Sequence, residues 1–479
     1  MARLYLISPP YQDVYKKINY KNFGVLQPPL GLAYIASYVK RHGHSVMLFD
    51  GSFSRDIFKD IKANIAAFNP DFVGITATTP QIASALKIAE YIKNLAPDIK
   101  IILGGFHVSA LPEQTLTHRY VDIVVCGEGE ITISEIIGGK DICDIKGIYF
   151  RQMDSIRKNA PRPLIEDLDS LPFPLWEGLP VRSYYYFPEH TVGIISGRGC
   201  PYGCSFCASA VIHGNRYRMR SPNNFVDEIE LLRKDYGVEY LFFVDETFTI
   251  NPQRTEEICS IIQKRKISVK WTCDTRVDHV TKDMLRIMKS AGCRSLRIGV
   301  ESADERVLKM TGKNITLAEA ERAISWANEL GIKTTAYFIL GLPYETPASL
   351  DKTLVFSKKL NTDVAQFSML VPLPGTKIWD IVQEGKILRC TAKEWDEYVR
   401  YDKAIVESDL LSASQLLAYQ RHIVKSYYLS PLYILKRLGG IRSFRELWEV
   451  LRGGMAVLIM IFSKKNVLRK NSSWQERCQ

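Results

Sequence analysis

The sequence predicts an α/β protein with two parallel-sheet domains in tandem, followed by a helical C-terminal region. Short β-rich apolar runs alternate with helical patterns over the first 140 residues, and the same alternation begins again near residue 191. A Pro-rich stretch separates the two series, and after about residue 390 the pattern is helical only. The expected domain division is therefore 1–140, 141–190, 191–390 and 391–479.

Length and composition agree with a folded protein of several domains. The chain has 479 residues, of which 46% are hydrophobic and 24% charged, and this composition excludes disordered, collagen-like and low-complexity proteins. Its ten Cys are far fewer than a disulfide scaffold needs. The first apolar run is too short for a signal peptide. A reducing cytoplasm is the expected location.

The first series predicts a doubly wound, Rossmann-like sheet, because its strands alternate with helices. The five predicted strands are Leu4–Ile7, Val46–Phe49, Phe72–Thr76, Ile101–Leu103 and Ile123–Val125. Such sheets bind ligands at the carboxyl ends of their strands. Small and polar residues follow three of these strands, in the segments Thr76–Thr79, Gly104–His107 and Cys126–Glu130.

The second series predicts a full or partial barrel of six βα units, written (βα)6, after a linker with one short strand near Gly147–Phe150. The six predicted strands are Val192–Ser196, Tyr240–Val244, Val269–Cys273, Ser295–Val300, Thr334–Leu340 and Ala365–Leu370. In barrels of this kind the active site lies at the carboxyl ends of the strands. The loops after these six strands are therefore the places to search for chemistry.

Three cysteines follow the first barrel strand in a loop that also contains Gly and Pro: Cys200, Cys204 and Cys207. At average Cys frequency this spacing is expected only ~0.004 times by chance in such a chain. Thiolates bind soft metals and iron–sulfur clusters, and three ligands on one loop leave one iron of a cubane open. A structural zinc site is the alternative, and His213 is its candidate fourth ligand.

Cys-x3-Cys-x2-Cys with an aromatic residue before the last Cys resembles the signature of the radical S-adenosylmethionine (SAM) superfamily. There the three Cys hold a [4Fe–4S] cluster and SAM chelates the fourth iron. Its reductive cleavage yields a 5′-deoxyadenosyl radical. The resemblance continues after the later strands, in order, in the segments Phe243–Glu246, Thr275–Arg276, Gly299–Ser302, Phe338–Thr346 and Pro372–Thr376.

The resemblance implies a set of site residues around the cluster. Taken singly, each acidic residue fits an ordinary helix cap or surface group, and only their order along the chain favours a shared site. The implied cluster ligands are Cys200, Cys204 and Cys207, and the implied SAM contacts are Phe206, Asp245, Glu246, Arg276, Glu301 and Ser302. The sequence identifies no catalytic residue beyond these cofactor contacts.

A doubly wound domain ahead of such a barrel is similar to the cobalamin-binding group of radical SAM enzymes. The matching segments are Pro28–Tyr34, Gly74–Thr76, Gly104–His107 and Cys126–Glu130. Glycines at strand ends let the backbone approach a bulky corrin closely. The cobalamin contacts that the resemblance implies are Thr76, Thr78, Gly104, Gly105, His107, Gly127 and Glu128.

The chain departs from cobalamin domains that supply a histidine below the cobalt. Those domains carry Asp-x-His-x-x-Gly, and none of the eight His here has an Asp two residues before it. We therefore expect cobalamin without that axial histidine. His107 is either a cobalt ligand or, as we expect, a residue that makes a hydrogen bond to the loop backbone.

The implied function is a cobalamin-dependent radical SAM methyltransferase that acts on an unactivated carbon, or occasionally on phosphorus. Relatives that cyclise or rearrange their substrates give the alternative. A methylthiotransferase on RNA would need three further N-terminal Cys, and residues 1–190 contain only Cys126 and Cys143. A cobalamin or iron–sulfur sensor without enzyme activity would not need the SAM-type motifs.

The C-terminal tail is basic. Residues 430–479 contain ten Lys/Arg and three Glu, so 10 − 3 = +7 of the net +11 lies there. Its amphipathic segments predict either peripheral contact with an anionic membrane or a helical tail packed on the barrel. The segments are Pro431–Leu438 and Phe444–Arg452, followed by the apolar run Met455–Phe462.

The expected partners follow from the implied chemistry and from the tail. They are an electron donor of the flavodoxin or ferredoxin type and a small-molecule, lipid or natural-product substrate. Nucleic acid is not expected, because no recognition motif accompanies the basic charge.

Overall fold

The computed structural model describes residues 1–11, 25–153, 155–186, 189–401, 403–439, 441, 447–448, 451 and 453–455. The chain forms two compact units, residues 1–420 and residues 421–479. Most of the predicted segment Phe444–Arg452, and all but the first residue of Met455–Phe462, lie outside the described residues.

The N-terminal part of the first unit is a seven-stranded sheet with helices on both faces. Its elements are β1 (Arg3–Ser8), β2 (Val25–Leu26), α1 (Leu30–Arg41), β3 (Ser45–Asp50), α2 (Ile57–Phe68), β4 (Phe72–Thr76), α3 (Ile82–Leu95), β5 (Lys100–Gly104), α4 (Phe106–Ala110), α5 (Pro112–Leu116), β6 (Ile123–Val125), α6 (Glu130–Ile137), β7 (Ile148–Gln152) and β8 (Ser155–Lys158). The strand order is β3-β1-β4-β5-β6-β7-β8, and the first five strands are parallel.

Alternate side chains of these strands enter two separate apolar layers. Tyr5, Ile7 and their neighbours pack against α2 and α3, whereas Leu4 and Leu6 pack against α1 and α6. A strand that is buried on both faces has a continuous apolar run in its sequence, and this run is what predicted β1. The predicted doubly wound arrangement is confirmed. The antiparallel strands β7 and β8 continue the sheet past residue 140, into the segment predicted as a linker.

The rest of the first unit is built on six parallel strands in chain order, β10-β13-β14-β15-β16-β17. The elements are β9 (Tyr185–Tyr186), β10 (Val192–Ile194), β11 (Gly197–Arg198), α7 (Ala210–His213), β12 (Arg218–Met219), α8 (Pro222–Tyr236), β13 (Tyr240–Phe243), α9 (Pro252–Lys264), β14 (Lys270–Thr275), α10 (Lys282–Ser290), β15 (Cys293–Glu301), α11 (Glu305–Met310), α12 (Leu317–Glu329), β16 (Lys333–Leu340), α13 (Pro347–Lys359), β17 (Val364–Met369), α14 (Lys377–Glu384), β18 (Arg389–Cys390) and β19 (Val406–Glu407). The six predicted βα units of a partial barrel are confirmed.

Local capping signals fix where the barrel helices begin. At the start of seven helices a polar side chain accepts a backbone N–H of the first turn, which satisfies a donor that the helix leaves unpaired. These residues are Ser221, Asn251, Thr281, Asp304, Thr316, Thr346 and Thr376. Because these helix starts are fixed, the loop before each of them has a defined length and path.

Residues 389–407 differ from the helical pattern that the sequence predicted after residue 391. They form a strap, in which β18 and β19 pair antiparallel around a short 3-10 turn that contains Trp395. The Trp395 ring contacts the rings of Trp379, Tyr398 and His107, with centroids 5.8, 4.9 and 4.7 Å away. These aromatic contacts outweigh local helix propensity, so helix returns only at α15 (Ala413–Tyr428).

The second unit contains the end of α15 and the helix α16 (Pro431–Gly439), which confirms the helix predicted over Pro431–Leu438. Within this unit the rings of Tyr427, Tyr428 and Tyr433 contact one another. Among the described residues, no helix combines the length and the hydropathy that a membrane crossing requires.

His107 lies under the strap and is 3% exposed. Its Nδ1 is 3.3 Å from Thr79 Oγ1, and burial lowers the pKa of His107 from 6.5 to about 4. As the pH falls from 6.5 to 4, the unfolded chain therefore takes up a proton here that the folded chain does not. Folding stability consequently falls with pH across this window, by up to ~3 kcal/mol.

We expect His107→Gln to remove this part of the acid sensitivity. The test is urea unfolding of both proteins at about pH 7 and about pH 4.5, and the stability lost between the two pH values should be smaller in the variant. Exposed His118 supplies the control: between the two pH values, His118→Gln should lose as much stability as the wild type loses. An equal loss in the His107→Gln variant would contradict a buried neutral imidazole.

Candidate active site

One cavity of about 970 Å³ receives the carboxyl ends of both parallel sheets. The first sheet contributes the residues that follow β4, β5 and β6, and the barrel contributes residues at or near the ends of all six strands. Parallel strands end at the same edge of their sheet, so their loops converge there. The cavity is thus the place where residues far apart in the sequence come together.

The cysteine loop forms part of the cavity wall. Cys200, Cys204 and Cys207 all line the cavity, and the pairing of β11 with β12 closes the loop at its base. Burial raises the pKa of each thiol, that of Cys207 to about 11. The three cysteines therefore lie partly buried in the wall of one cavity.

The backbone holds this loop from two sides. The Ser205 N–H donates to the Thr311 carbonyl at 2.8 Å, and the Ile378 N–H donates to the Ser205 carbonyl at 3.0 Å. Gly199 has φ +89°, and a Cβ there would lie 2.3 Å from the Arg216 carbonyl oxygen. Only glycine fits at that position, directly before Cys200.

The donor set fits a cluster. Among the described residues, no three His, Cys, Asp or Glu side chains are arranged around a single metal ion. A cubane makes a different demand, because each iron takes its own thiolate and the sulfurs spread over one face. Three cysteines without disulfides on one loop meet that demand. His213, the ligand of the zinc alternative, instead has its Nδ1 3.8 Å from Glu128 Oε1.

Four of the six residues predicted to contact SAM line the cavity: Phe206, Glu246, Arg276 and Glu301. Glu246 accepts a short hydrogen bond from the Ser209 hydroxyl. Arg276 donates twice to Asp278, at 2.9 Å each, and its guanidinium lies 3.7 Å from the centroid of the Tyr202 ring. Glu301 accepts from Lys313 Nζ at 2.9 Å.

The other two, Asp245 and Ser302, are fully buried and lie outside the cavity lining. The Asp245 carboxylate accepts from the N–H and hydroxyl of Ser196, at 2.7 and 2.6 Å, and from the Tyr217 hydroxyl at 2.6 Å. Ser302 accepts from the Asp304 N–H at 3.2 Å. Both side chains are engaged within the protein, and Glu246 is the carboxylate of its segment that reaches the cavity.

The residues predicted to contact cobalamin line the opposite wall, except His107. The lining members are Thr76, Thr78, Gly104, Gly105, Gly127 and Glu128. Gly105 has φ +104°, and a Cβ there would lie 2.7 Å from the Ala77 carbonyl oxygen. Gly127 has φ +78° and no atom within 4 Å of a Cβ position, so its open side suits the close approach of a large ligand. His107 is covered by the strap.

Sequence reasoning missed several cavity residues. Asp274 and Arg297 pair at 3.0 Å, and Arg297 Nε donates to the Tyr337 hydroxyl at 2.8 Å. Burial raises the pKa of Asp274 to about 6, although Arg297 opposes this. Charges inside apolar strands were the signal that could have revealed this pair. Tyr398 and Arg400 come from the strap and carried no such signal.

Comparisons with known proteins agree with this arrangement. The family model for the Radical SAM superfamily matches residues 194–356, and the model for the B12 binding domain matches residues 16–137. A Pyrococcus horikoshii protein named as an uncharacterized methyltransferase is 33% identical over 441 residues, which is 91% of this chain and 94% of that protein. The anaerobic magnesium-protoporphyrin IX monomethyl ester cyclase of Rubrivivax gelatinosus is 34% identical over 421 residues, 85% and 75% of the two chains.

A solved structure shares the whole architecture. It is the radical S-adenosylmethionine methyltransferase TsrM from Kitasatospora setae, with cobalamin and a [4Fe–4S] cluster bound. It superposes with a TM-score of 0.73 at 19% identity, over 95% of this chain and 99% of that one, a likeness of fold. The two family models and the Pyrococcus horikoshii relative show that the chain belongs to the radical SAM superfamily, among the members that carry a B12-binding domain ahead of the radical SAM domain.

Proposed function

We propose that this chain is a cobalamin-dependent methyltransferase that acts on an unactivated carbon of a small organic substrate. The observation that carries this proposal is the single cavity, which joins the cysteine loop to the glycine-bearing strand ends of the first sheet. Methyl transfer of this kind needs both cofactors and the substrate to meet in one space. The relatives named methyltransferases support the choice of group transferred.

Three cysteines and four cavity residues have assigned roles in this proposal. Cys200, Cys204 and Cys207 would hold a [4Fe–4S] cluster, which when bound supplies one-electron reduction of SAM. Glu246 is the acceptor for the SAM ammonium group, and Phe206, Arg276 and Glu301 complete the SAM side. Asp245 and Ser302 support this side from behind, through the hydrogen bonds described above.

Thr76, Thr78, Gly104, Gly105 and Gly127 are proposed to form the corrin side. Glu128 follows Gly127 in the chain, and its carboxylate accepts from Arg198 and Arg218. His107 is proposed as a packing residue, since its imidazole faces Thr79 and Trp395. No histidine ligand to cobalt is assigned, in keeping with the absence of Asp-x-His-x-x-Gly from the sequence.

Apolar side chains on both walls of the cavity are proposed to exclude water from the reacting atoms. Water exclusion matters because a reactive intermediate that meets solvent or stray reductant is lost to side reactions. The wall residues concerned are Ile75, Ile102, Val125, Phe338 and Leu370.

The second candidate is a radical SAM enzyme of the same architecture that cyclises or rearranges its substrate without methyl transfer. The 34% identity to the Rubrivivax gelatinosus cyclase favours it. SAM with a labelled methyl group separates the two candidates, because the label enters the product only in a methyltransferase.

Radical SAM enzymes need an electron donor, and we propose a flavodoxin or ferredoxin for this chain.

We also propose that α16 contacts an anionic membrane, which would bring a lipid or pigment substrate within reach. Leu432, Leu435 and Leu438 of α16 are 83%, 66% and 53% exposed, and Lys436 and Arg437 lie between them in the sequence. An exposed apolar stripe next to basic residues, in a segment of net charge +7, is typical of helices that lie in an anionic lipid surface.

The cofactor assignment predicts the metal content of reconstituted protein. After anaerobic incubation with iron, sulfide and hydroxocobalamin, we expect about four irons and about one cobalt per chain. Cys200→Ala should lose most of the iron, because two thiolates hold a cubane poorly, whereas Cys143→Ala should keep it. A wild-type chain that binds iron but no cobalt would overturn the methyltransferase proposal.

SAM binding tests the role of Glu246. We expect Glu246→Gln to raise the Kd for SAM about tenfold with the iron content unchanged, since a charged hydrogen bond is weakened. Exposed Glu257 on α9 supplies the control, and Glu257→Gln should bind SAM like the wild type. An unchanged Kd in Glu246→Gln would remove Glu246 from the SAM site.

Membrane contact is tested by sedimentation with vesicles of phosphatidylcholine, with and without phosphatidylglycerol. The intact chain should sediment with the anionic vesicles, and a double variant, Leu435→Glu with Leu438→Glu, should lose about tenfold in affinity because the apolar stripe gains charge. Val355→Glu, at a 68% exposed apolar residue of α13, is the control and should bind like the wild type. An intact chain that never sediments with anionic vesicles would contradict the proposal.

A further inference from the structure

Four buried charged side chains connect the loops of the two sheets at the cavity. We call these four residues, Glu128, Glu130, Arg198 and Arg218, the intersheet quartet. Arg198 donates to Glu128 at 3.0 Å and to Glu130 at 2.7 Å. Arg218 donates to both oxygens of Glu128, at 2.9 Å each. No side chain of the quartet is more than 5% exposed.

The quartet links the two segments that face each other across the cavity. Glu128 directly follows Gly127 in the loop after β6, and Glu130 begins α6. Arg198 ends β11, two residues before Cys200. Arg198 and Arg218 are direct partners in the β11–β12 pair that closes the cysteine loop. Tyr34 of α1, a helix packed on the first sheet, also lies near Arg198: its ring centroid is 4.9 Å from the guanidinium carbon.

The charges of the quartet balance, with two carboxylates and two guanidinium groups. Burial by itself would raise the pKa of Glu128, but His213, Arg218 and Arg198 together hold it well below its usual range. Glu128 therefore stays ionised while buried. The Ile165 N–H, 2.8 Å from Glu128 Oε2, supplies a further hydrogen bond to the same carboxylate.

Stability alone explains such a group poorly. The cost of removing buried ions from water is often as large as their attraction, so apolar residues of similar volume would stabilise the contact about as well. What paired guanidinium and carboxylate groups add is geometry, because the parallel hydrogen bonds fix both distance and angle. At this place the geometry that they fix is that of the cysteine loop against the loop that contains Gly127.

We propose that Arg198 and Glu128 are positioning residues, and that the quartet sets the separation and orientation of the corrin and cluster sites. This inference rests on the proposed function. It places the Glu128 carboxylate against the two arginines rather than against the corrin. Neither residue takes part in bond breaking; they act through the two loops that they connect.

The test uses the full chain, reconstituted as wild type, Glu128→Gln and Arg198→Lys. Glutamine keeps the shape of Glu128 without its charge, and lysine keeps the charge of Arg198 without its two-pronged hydrogen bonding. The readouts are iron and cobalt content, together with the EPR spectrum of bound cob(II)alamin recorded with the cluster oxidised and reduced. A reduced cluster is paramagnetic, so its effect on the cob(II)alamin signal reports their separation and relative orientation.

We expect both variants to retain iron and cobalt. In the wild type the reduced cluster should split or broaden the cobalt signal in one uniform way. In Glu128→Gln the range of cluster–cobalt coupling strengths should become about two-fold wider. Loss of a supporting contact loosens a site by about 1 Å, so the distance between cluster and cobalt varies more from molecule to molecule. Arg198→Lys should show a smaller widening. The control is Arg216→Ala, whose partner Glu166 is exposed like Arg216 itself, and it should match the wild type.

Two outcomes would decide against the inference. Variants with full metal content and wild-type coupling would overturn the positioning role. Loss of cobalt alone from Glu128→Gln would make Glu128 a corrin contact, which also overturns it. If Glu128→Gln does not fold, Arg198→Lys is the variant that decides, because it keeps the positive charge at residue 198 and leaves both carboxylates in place. A wild-type chain without bound cobalamin would refute the proposed function itself. The cobalt content of the wild type shows this before any variant is compared.

Discussion

The carboxyl edges of two parallel sheets open into one cavity, and the position of every candidate site residue depends on this constraint. Within each sheet the parallel strands run in one direction, so the loops at their carboxyl ends lie at one edge. Bringing the two edges together requires contacts between the sheets. The intersheet quartet is one such contact, and the hydrogen bond from the Tyr184 hydroxyl to Asp50, at 3.0 Å, ties the segment before the barrel to the first sheet. Contacts of this kind hold the two edges face to face across the cavity.

The charged residues of the cavity are arranged mostly in pairs. Asp274 with Arg297, Asp278 with Arg276 and Glu301 with Lys313 each combine opposite charges within about 3 Å. Paired groups keep their direction and contribute fixed dipoles, which suits a site where charge develops on a bound ligand. Pairing also limits the cost of keeping these groups away from water.

The strands and the cysteine loop could be read from the sequence because their signals are local. A buried parallel strand needs a short apolar run, and three ligands on one loop need a fixed spacing, so neither depends on distant partners. Side-chain direction is different. Asp245 and Glu246 are neighbours in the chain, yet Ser196 and Tyr217, 49 and 28 residues away, turn Asp245 inward and leave Glu246 at the cavity. The partners of Arg198 lie 68 and 70 residues before it, beyond the reach of any local pattern.

The strap has a consequence for the evolutionary history of such enzymes. Tyr398 and Arg400 reach the cavity from residues 389–407, which belong neither to the parallel sheets nor to the cysteine loop. Mutations there can reshape this part of the cavity wall while the loops that follow the parallel strands are inherited unchanged. A duplicated gene could thereby acquire a new substrate without passing through an inactive ancestor, so lineages with the same radical chemistry should diverge first in this appendage.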